Sequence, residues 1–256
     1  MILLMGGTSE SFMIAKAIGD TGFPVLVSMA TDIPLTLPGG QNIETRHGRL
    51  NLEQMIALIG ERRISTLVDS AHPYAIRTHE TAKLAAQHAS IPYIHWLRAE
   101  SDLSSFTNIH MAANHEEAAQ AAVDLQRPIL LTIGSRNILP YIRAARAAKL
   151  AIYARVLPCS ESENACRSAG LSKSRVIAAR GPFTVEDTLL LLRSWKIGTL
   201  VTKESGEAGG VGEKLEAATR EGCAVIVVKR ASFSGEDSCG TLSELIGRLS
   251  SCHRRV

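Results

Sequence analysis

The sequence predicts an α/β fold of two domains, each a mainly parallel sheet covered on both faces by helices. Three observations predict it. Short runs rich in Val, Ile and Leu alternate with alanine- and leucine-rich stretches of helical period, as βαβ units require. The alternation stops at residues 98–108, which are polar and carry neither period, and then starts again. Finally, 256 residues with 45% hydrophobic content hold enough core for two such units, whereas one continuous ten-strand sheet exceeds an ordinary α/β domain. The expected architecture is two Rossmann-like domains, 1–104 and 105–256. A ligand cleft is expected between them, because domain interfaces and strand carboxyl ends are preferred ligand sites.

In order, the first half reads as strand 1–5, helix 9–20, strands 24–29 and 42–46, helix 51–62, strand 65–70, helix 75–89 and strand 92–95. The second half opens on a helix near 115–125. Strands follow near 129–133, 151–156, 175–179, 198–202 and 224–228, with helices filling most of the gaps. No short-period internal repeat is visible in the sequence.

Bulk properties exclude several classes. Net charge is +3, split into −2 over residues 1–104 and +5 over 105–256, so only the placement of the cations can be informative. Five cysteines, odd in number and without CxxC pairing, indicate neither a zinc site nor a disulfide framework and fit reduced thiols in a cytoplasm. The apolar start Met1-Ile2-Leu3-Leu4-Met5 stops at Gly6, far short of a signal core or a membrane span, so no membrane partner is expected. With 4% aromatics and no basic-aromatic interleaving, no nucleic-acid partner is expected either. No metal site stands out among the eight histidines, and no G-x-S-x-G occurs. A monomer is expected.

Polar groups gather at strand ends. Asp69-Ser70-Ala71-His72-Pro73-Tyr74-Ala75 follows the apolar run Thr66-Leu67-Val68 and leads into a helical stretch, with Pro73 placed where a missing N–H is harmless, at the first helical turn. His72 reads either as a cap of that helix or as a ligand-positioning group beside Asp69 and Tyr74. Met5-Gly6-Gly7-Thr8-Ser9-Glu10 turns the first strand into the first helix and makes an anion cradle of backbone N–H groups and hydroxyls. It lacks the third glycine of the dinucleotide fingerprint, and a plain glycine turn with a Ser or Thr cap is the alternative. The second strand ends at Ser28-Met29-Ala30 without the carboxylate that takes the ribose hydroxyl of NAD, which leans toward NADP, although Asp32 lies close by. Arg46 and Arg49 flank Gly48 after the next strand and read equally as phosphate contacts or as solvated surface.

In the second half, successive strands deliver Arg136, Arg155, Arg180 and Lys203 toward one edge, and Gly206, Gly209, Gly210 and Gly212 follow Lys203. Cations at strand carboxyl ends suit a ligand with several carboxylates or phosphates.

These segments resemble the precorrin-6A reductase family of cobalamin biosynthesis, its cobalt-precorrin counterpart included. The resemblance runs nearly end to end. It is carried by Gly6-Gly7-Thr8 with Glu10, Ser28 with Ala30, the Asp69–Ala75 segment, Thr132 with Gly134 and Arg136, Arg180-Gly181-Pro182-Phe183, and Val201-Thr202-Lys203 with Ser205-Gly206 and Lys214-Leu215. It implies a two-domain reductase that uses NADPH, with NADH not excluded, to saturate one double bond of a cyclic tetrapyrrole and give precorrin-6B. Gly6, Gly7, Thr8 and Ser9 would then hold the pyrophosphate, and Ser28, Ala30 and Gly48 would lie on the ribose side. His72 and Tyr74 would act as positioning groups near the nicotinamide, completing the catalytic set with Lys203. Arg136, Arg155, Arg180, Lys203 and Ser205 would meet the acid arms of the macrocycle, and Lys203 or a water would give the proton. The chain departs from the family pattern at Thr31-Asp32, where an arginine is common, and at Ser9, where glycine is common. A non-catalytic NADP-binding sensor is the alternative of another class. The Tyr-x-x-x-Lys pair of short-chain dehydrogenases is absent.

Overall fold

The computed structural model describes residues 1–30, 42–206, 209–230 and 237–253. It contains two compact units, Met1–Ala99 with Ala231–Val256 and Glu100–Arg230. The first unit begins β1 (Ile2–Met5), α1 (Ser9–Asp20), β2 (Val25–Met29), β3 (Ile43–His47), α2 (Leu52–Glu61), β4 (Thr66–Asp69), α3 (Ile76–His88) and β5 (Tyr93–Trp96). The second comprises β6 (Ile109–Ala112), α4 (His115–Asp124), β7 (Ile129–Leu131), α5 (Leu139–Ala147), β8 (Ile152–Val156), α6 (Ser160–Ser168), β9 (Val176–Ala178), α7 (Val185–Ser194), β10 (Thr199–Lys203), α8 (Val211–Arg220) and β11 (Ala224–Val228). The chain then returns to the first unit with β12 (Ser238–Cys239) and α9 (Leu242–His253).

Among the described residues each sheet has six strands, and every paired ladder is parallel. In the first unit the order is β12-β5-β4-β1-β2-β3, so the chain reverses direction across the sheet between β1 and β4. Register places Leu4 opposite Val27 on one side and Val68 on the other. In the second unit the order is β6-β11-β10-β7-β8-β9, with the reversal between β7 and β10. Five consecutive strands thus follow one plan in both units, and a sixth strand from elsewhere in the chain pairs beside the fifth. Such reversals are the switch points at whose carboxyl ends open α/β sheets bind ligands.

The strands are continuous apolar runs because both faces are covered. The four residues of β1 are buried, and their side chains divide between one core with α1 and α9 and another with α2 and α3. In the second unit α4, α5 and α6 cover one face and α7 and α8 the other. Local signals set the helix starts: Asn51 accepts from the Gln54 N–H, Asn114 from the Glu117 N–H and Thr184 from the Asp187 N–H.

Three expectations need correction. The second domain does not run to residue 256, because β12 pairs with β5 and α9 buries Leu245 and Leu249 in the first unit's core. Two strands were not anticipated: β6 mixes exposed and buried positions at a sheet edge, and β12 has only two residues. The third helix begins at Ile76, after a turn in which the Ala75 N–H donates to the His72 carbonyl (2.7 Å), so Pro73 occupies the second position of a turn and not a helical one. The first unit gives way to the second at Ala99–Glu100, within the irregular stretch 98–108, whose Leu103 and Phe106 pack on the second unit's core. Thr31 and Asp32 lie outside the described residues.

Leu249 is fully buried among first-unit residues, so Leu249→Ala is expected to destabilise that unit by about 2–5 kcal/mol in urea unfolding. A change below about 0.5 kcal/mol, the range of ordinary surface substitutions, would place α9 elsewhere.

Candidate active site

At the first switch point, the loop from β1 to α1 is locked to the ends of β2 and β4. The Gly6 N–H donates to the Ser28 carbonyl (2.9 Å), and the Ser70 hydroxyl donates to the Met5 carbonyl (2.8 Å). The Thr8 and Ser11 hydroxyls lie 2.9 Å apart, with Ser11 also 3.3 Å from the Ser70 hydroxyl. Gly6 is required by close approach, since a Cβ there would lie 2.8 Å from Val27 Cγ1. Gly7 is required by its φ of +105°, and a Cβ there would meet nothing within 4 Å, so this side of the loop is open to a ligand. Glu10, in the first turn of α1, would repel an anion at the helix start, but its carboxylate is paired with the buried Arg98 guanidinium. The loop therefore presents a helix start whose nearest carboxylate is already paired, an arrangement that suits an anion.

Ser28 is buried and accepts from Arg46 Nη1 (2.7 Å), which also donates to the Gly48 carbonyl (2.9 Å). Arg46 thus ties Ser28 and Gly48 into one corner, while Ala30 is exposed beside it. The sequence left Arg46 open between phosphate contact and surface, and its anchoring on Ser28 is visible only through the pairing of β2 with β3.

Asp69, at the tip of β4, is fully buried and accepts from His79 Nδ1 (2.8 Å), the Tyr93 hydroxyl (2.8 Å) and the Ala71 N–H (3.1 Å). Burial alone would push this carboxyl up, but His79, Tyr93 and Ala71 together hold it below the usual value. Burial opposes the charge on His79 too, yet Asp69 raises it. His95, its ring centroid 4.9 Å from that of His79, is lowered, chiefly by burial. The ligating atoms of Asp69, His79 and His95 lie within 4.8 Å of one another. The 2.8 Å contact between Asp69 and His79 joins them in one buried hydrogen-bond network with Tyr93. His72 and Tyr74 stand in the turn above it, their rings 5.8 Å apart, with the Tyr74 N–H donating to His72 Nδ1 (3.3 Å). His79 was missed in the sequence, although it falls on the buried alanine stripe of α3 with Ala82 and Ala86, where a polar residue needs a partner.

At the second switch point cations gather. Arg155 lies on β8, 5% exposed, with Nη1 donating to the Thr188 hydroxyl (3.3 Å) and the guanidinium 3.8 Å above the Phe183 ring. Its Nη2 is buried with no hydrogen-bond partner among the described residues. Burial lowers Arg155 to about 10 although Asp187 opposes the shift. Lys203, at the tip of β10, is lowered to about 8 by burial and by Arg136. Lys214, on α8, donates to the Gly209 carbonyl (3.0 Å) and is lowered to about 8 by burial, Arg155 and Lys203, against Glu213. His115, whose Nδ1 lies 2.9 Å from the Tyr141 hydroxyl, is lowered to about 4 by burial and Lys203.

The structure therefore brings Arg136 within electrostatic reach of Lys203, and adds Lys214 within reach of both Lys203 and Arg155. The sequence carried Lys214 only as part of a matching segment. Arg180 is exposed after β9 and makes no side-chain hydrogen bond or ion pair among the described residues; its neighbour Phe183 enters the site by supporting Arg155. Ser205 is buried against Gly209, where a Cβ would lie 2.0 Å from its hydroxyl oxygen. Glu204 braces this loop, accepting from the Ser101 and Gly206 N–H groups (3.0 Å each) and pairing with Arg230. No helix of the described residues is long and apolar enough to cross a membrane.

Comparison with known proteins gives a consistent picture. The family model described as Precorrin-6x reductase CbiJ/CobK matches residues 1–250. A cobalt-precorrin-6A reductase of Priestia megaterium is 32% identical over 97% of this chain and 98% of its own length. A precorrin-6A reductase of Rhodobacter capsulatus is 28% identical over 97% and 95%. Among solved structures, one titled CobK precorrin-6A reductase superposes with a TM-score of 0.79 at 26% identity, covering 98% of this chain and 96% of that one.

The Asp69 and His79 pair sets a pH window for stability. The depressed carboxyl contributes stability present above its ordinary 3.8 and lost as pH falls through its lower folded value; the raised imidazole contributes stability present below its ordinary 6.5 and lost as pH rises through its higher folded value. Asp69→Ala is expected to destabilise the first unit by about 3–5 kcal/mol in denaturant unfolding at pH 6, and to flatten both flanks of its stability profile. An unchanged profile in the variant would contradict the pairing.

Proposed function

Because the chain belongs to the precorrin-6x reductase family, we propose that it reduces precorrin-6A to precorrin-6B in cobalamin biosynthesis with NADPH held by the first unit and the acid arms of the macrocycle by the second. When bound, the reduced nicotinamide supplies a hydride to one ring carbon. Gly6, Gly7, Thr8 and the backbone of Ser9 receive the pyrophosphate at the start of α1, and Arg98 keeps Glu10 from repelling it. Arg46, fixed by Ser28 and Gly48, takes the 2′-phosphate and so fills the role of the arginine that family members commonly carry after the second strand. His72 and Tyr74 orient the nicotinamide side.

The observation that carries the substrate reading is Arg155. A buried guanidinium with one Nη unmatched, within reach of Lys214, which Lys203 faces in turn, is unfavourable unless an anion joins it. Arginine's fork and two lysine ammonium groups suit the acetate and propionate arms of a tetrapyrrole. Lys203 Nζ gives the proton to the carbon next to the one reduced. With Lys203 lowered to about 8 it is largely protonated at neutral pH yet releases the proton readily, as a general acid should.

Anaerobic incubation of precorrin-6A with NADPH is expected to oxidise the cofactor and add two hydrogens to the macrocycle by mass; no mass gain would overturn the reading. Arg46→Ala is expected to raise the NADPH KM by about tenfold or more, the loss of one charge-assisted contact, with NADH use unchanged. Equal effects on both cofactors would remove Arg46 from the 2′-phosphate. Lys203→Met is expected to lower kcat by roughly 10²–10⁴-fold and to abolish the fall of activity as pH rises through about 8 in steady-state profiles. A variant that keeps that fall would assign the proton to another donor.

A further inference from the structure

The roles proposed above leave His79 without a task, although it is buried beneath the turn that carries His72 and Tyr74. Hydrogen-bond accounting fixes its state. Nε2 lies 3.1 Å from the His72 carbonyl oxygen, which can only accept, so Nε2 bears a hydrogen. Nδ1 lies 2.8 Å from Asp69 Oδ2, and that carboxyl already accepts from the Tyr93 hydroxyl and the Ala71 N–H, two donors that favour its ionised form. The proton in the 2.8 Å contact therefore belongs to His79. Both ring nitrogens carry hydrogen, which only the imidazolium does.

The consequence falls on the turn. The His72 carbonyl receives the Ala75 N–H (2.7 Å), which closes the turn, and the His79 N–H, which ties it to the end of β4 through Asp69. We propose that His79, clamped as an imidazolium between the Asp69 carboxylate and the His72 carbonyl, is a positioning residue that sets the His72–Tyr74 turn for the cofactor. The proposal rests on the assignment of that turn to the nicotinamide side. A neutral ring keeps one N–H, so on deprotonation either the carbonyl or the carboxylate loses a donor in a buried place.

The surrounding groups agree. Asp69 faces His79 from β4, Tyr93 and His95 from β5, and His72 from the turn. Lys83 on α3 and Asp237 beside β12 act on His95 and Tyr93 respectively. His95 is lowered by burial and held down further by His79 and Lys83, while Asp69 opposes them. The positive charge of this histidine pair is therefore on His79, the ring that Asp69 raises.

The test follows the full chain with ¹⁵N-labelled histidine by NMR while NADPH affinity is titrated by cofactor fluorescence from neutral to alkaline pH. Throughout that range the 2′-phosphate, with a pKa of about 6, is already ionised. Two N–H signals are expected for the His79 ring at neutral pH, and the NADPH Kd is expected to rise on the order of tenfold as that ring titrates. Saturating NADPH is expected to move the titration upward, by reciprocity. His79→Gln is expected to bind more weakly at neutral pH and to lack the alkaline rise, a change that a purely structural role would not produce. A Kd that stays flat while His79 titrates, or a Gln variant that keeps the wild-type rise, would overturn the proposal and leave the cofactor assignment standing. If the variant does not fold, the wild-type curves alone decide. Wild-type protein that binds no NADPH at any pH would overturn the cofactor assignment and this proposal together.

Discussion

A parallel sheet covered by helices on both faces offers water only its edges and the ends of its inner strands. Both sheets of this chain obey that constraint, and the distribution of polar residues follows from it. Strand interiors such as Ile2–Met5 and Ala224–Val228 are buried throughout, while Ser28, Asp69, Arg155 and Lys203 fall at or next to carboxyl ends. Where the strand order reverses, neighbouring connections leave on opposite faces and the ends stand open. The glycine loop after β1 and the turn after β4 flank one such opening, and the ends of β7 and β10 flank the other.

The two openings treat charge in opposite ways. In the first unit the buried charges are balanced within the fold: Asp69 by His79, and Glu10 by Arg98. The result is a rigid, nearly neutral frame around an open loop, as a site that orients a cofactor needs. In the second unit burial works against the cations. Arg155 keeps an unmatched Nη2, and Lys203 and Lys214 are pushed toward neutrality by burial and by neighbouring cations. The balancing charge is proposed to arrive with the substrate, so the electrostatic strain of the unbound protein becomes binding energy for a polycarboxylate.

Much of this was legible in the sequence because it depends on local pattern. Strand runs, the restart after residue 108, the glycine loop and the strand-end cations each lie within a few residues of one another. What was not legible depends on register between distant segments. Arg46 meets Ser28 only because β3 pairs with β2, and Tyr93 meets Asp69 only because β5 pairs with β4. The return of residues 237–253 to the first unit has no local mark, since β12 has only two residues. Asp69 looked like part of a ligand-positioning group with His72 and Tyr74, and burial with three donors makes it a brace for the turn. Arg180 looked equal to Arg136 and Arg155, but it stands exposed, whereas Arg155 is buried against the ring of Phe183 from the same loop.

Hydrogen–deuterium exchange with and without ligands tests the account most directly, because it reads every backbone segment at once. NADPH is expected to protect residues 6–11, 46–48 and 71–75, and precorrin-6A residues 132–136 and 203–206, at the carboxyl ends of the two sheets. Protection centred instead on the cavity of about 820 Å³ that Ser65, Pro92, Glu244 and Arg248 line, at the amino ends of β4 and β5, would contradict it.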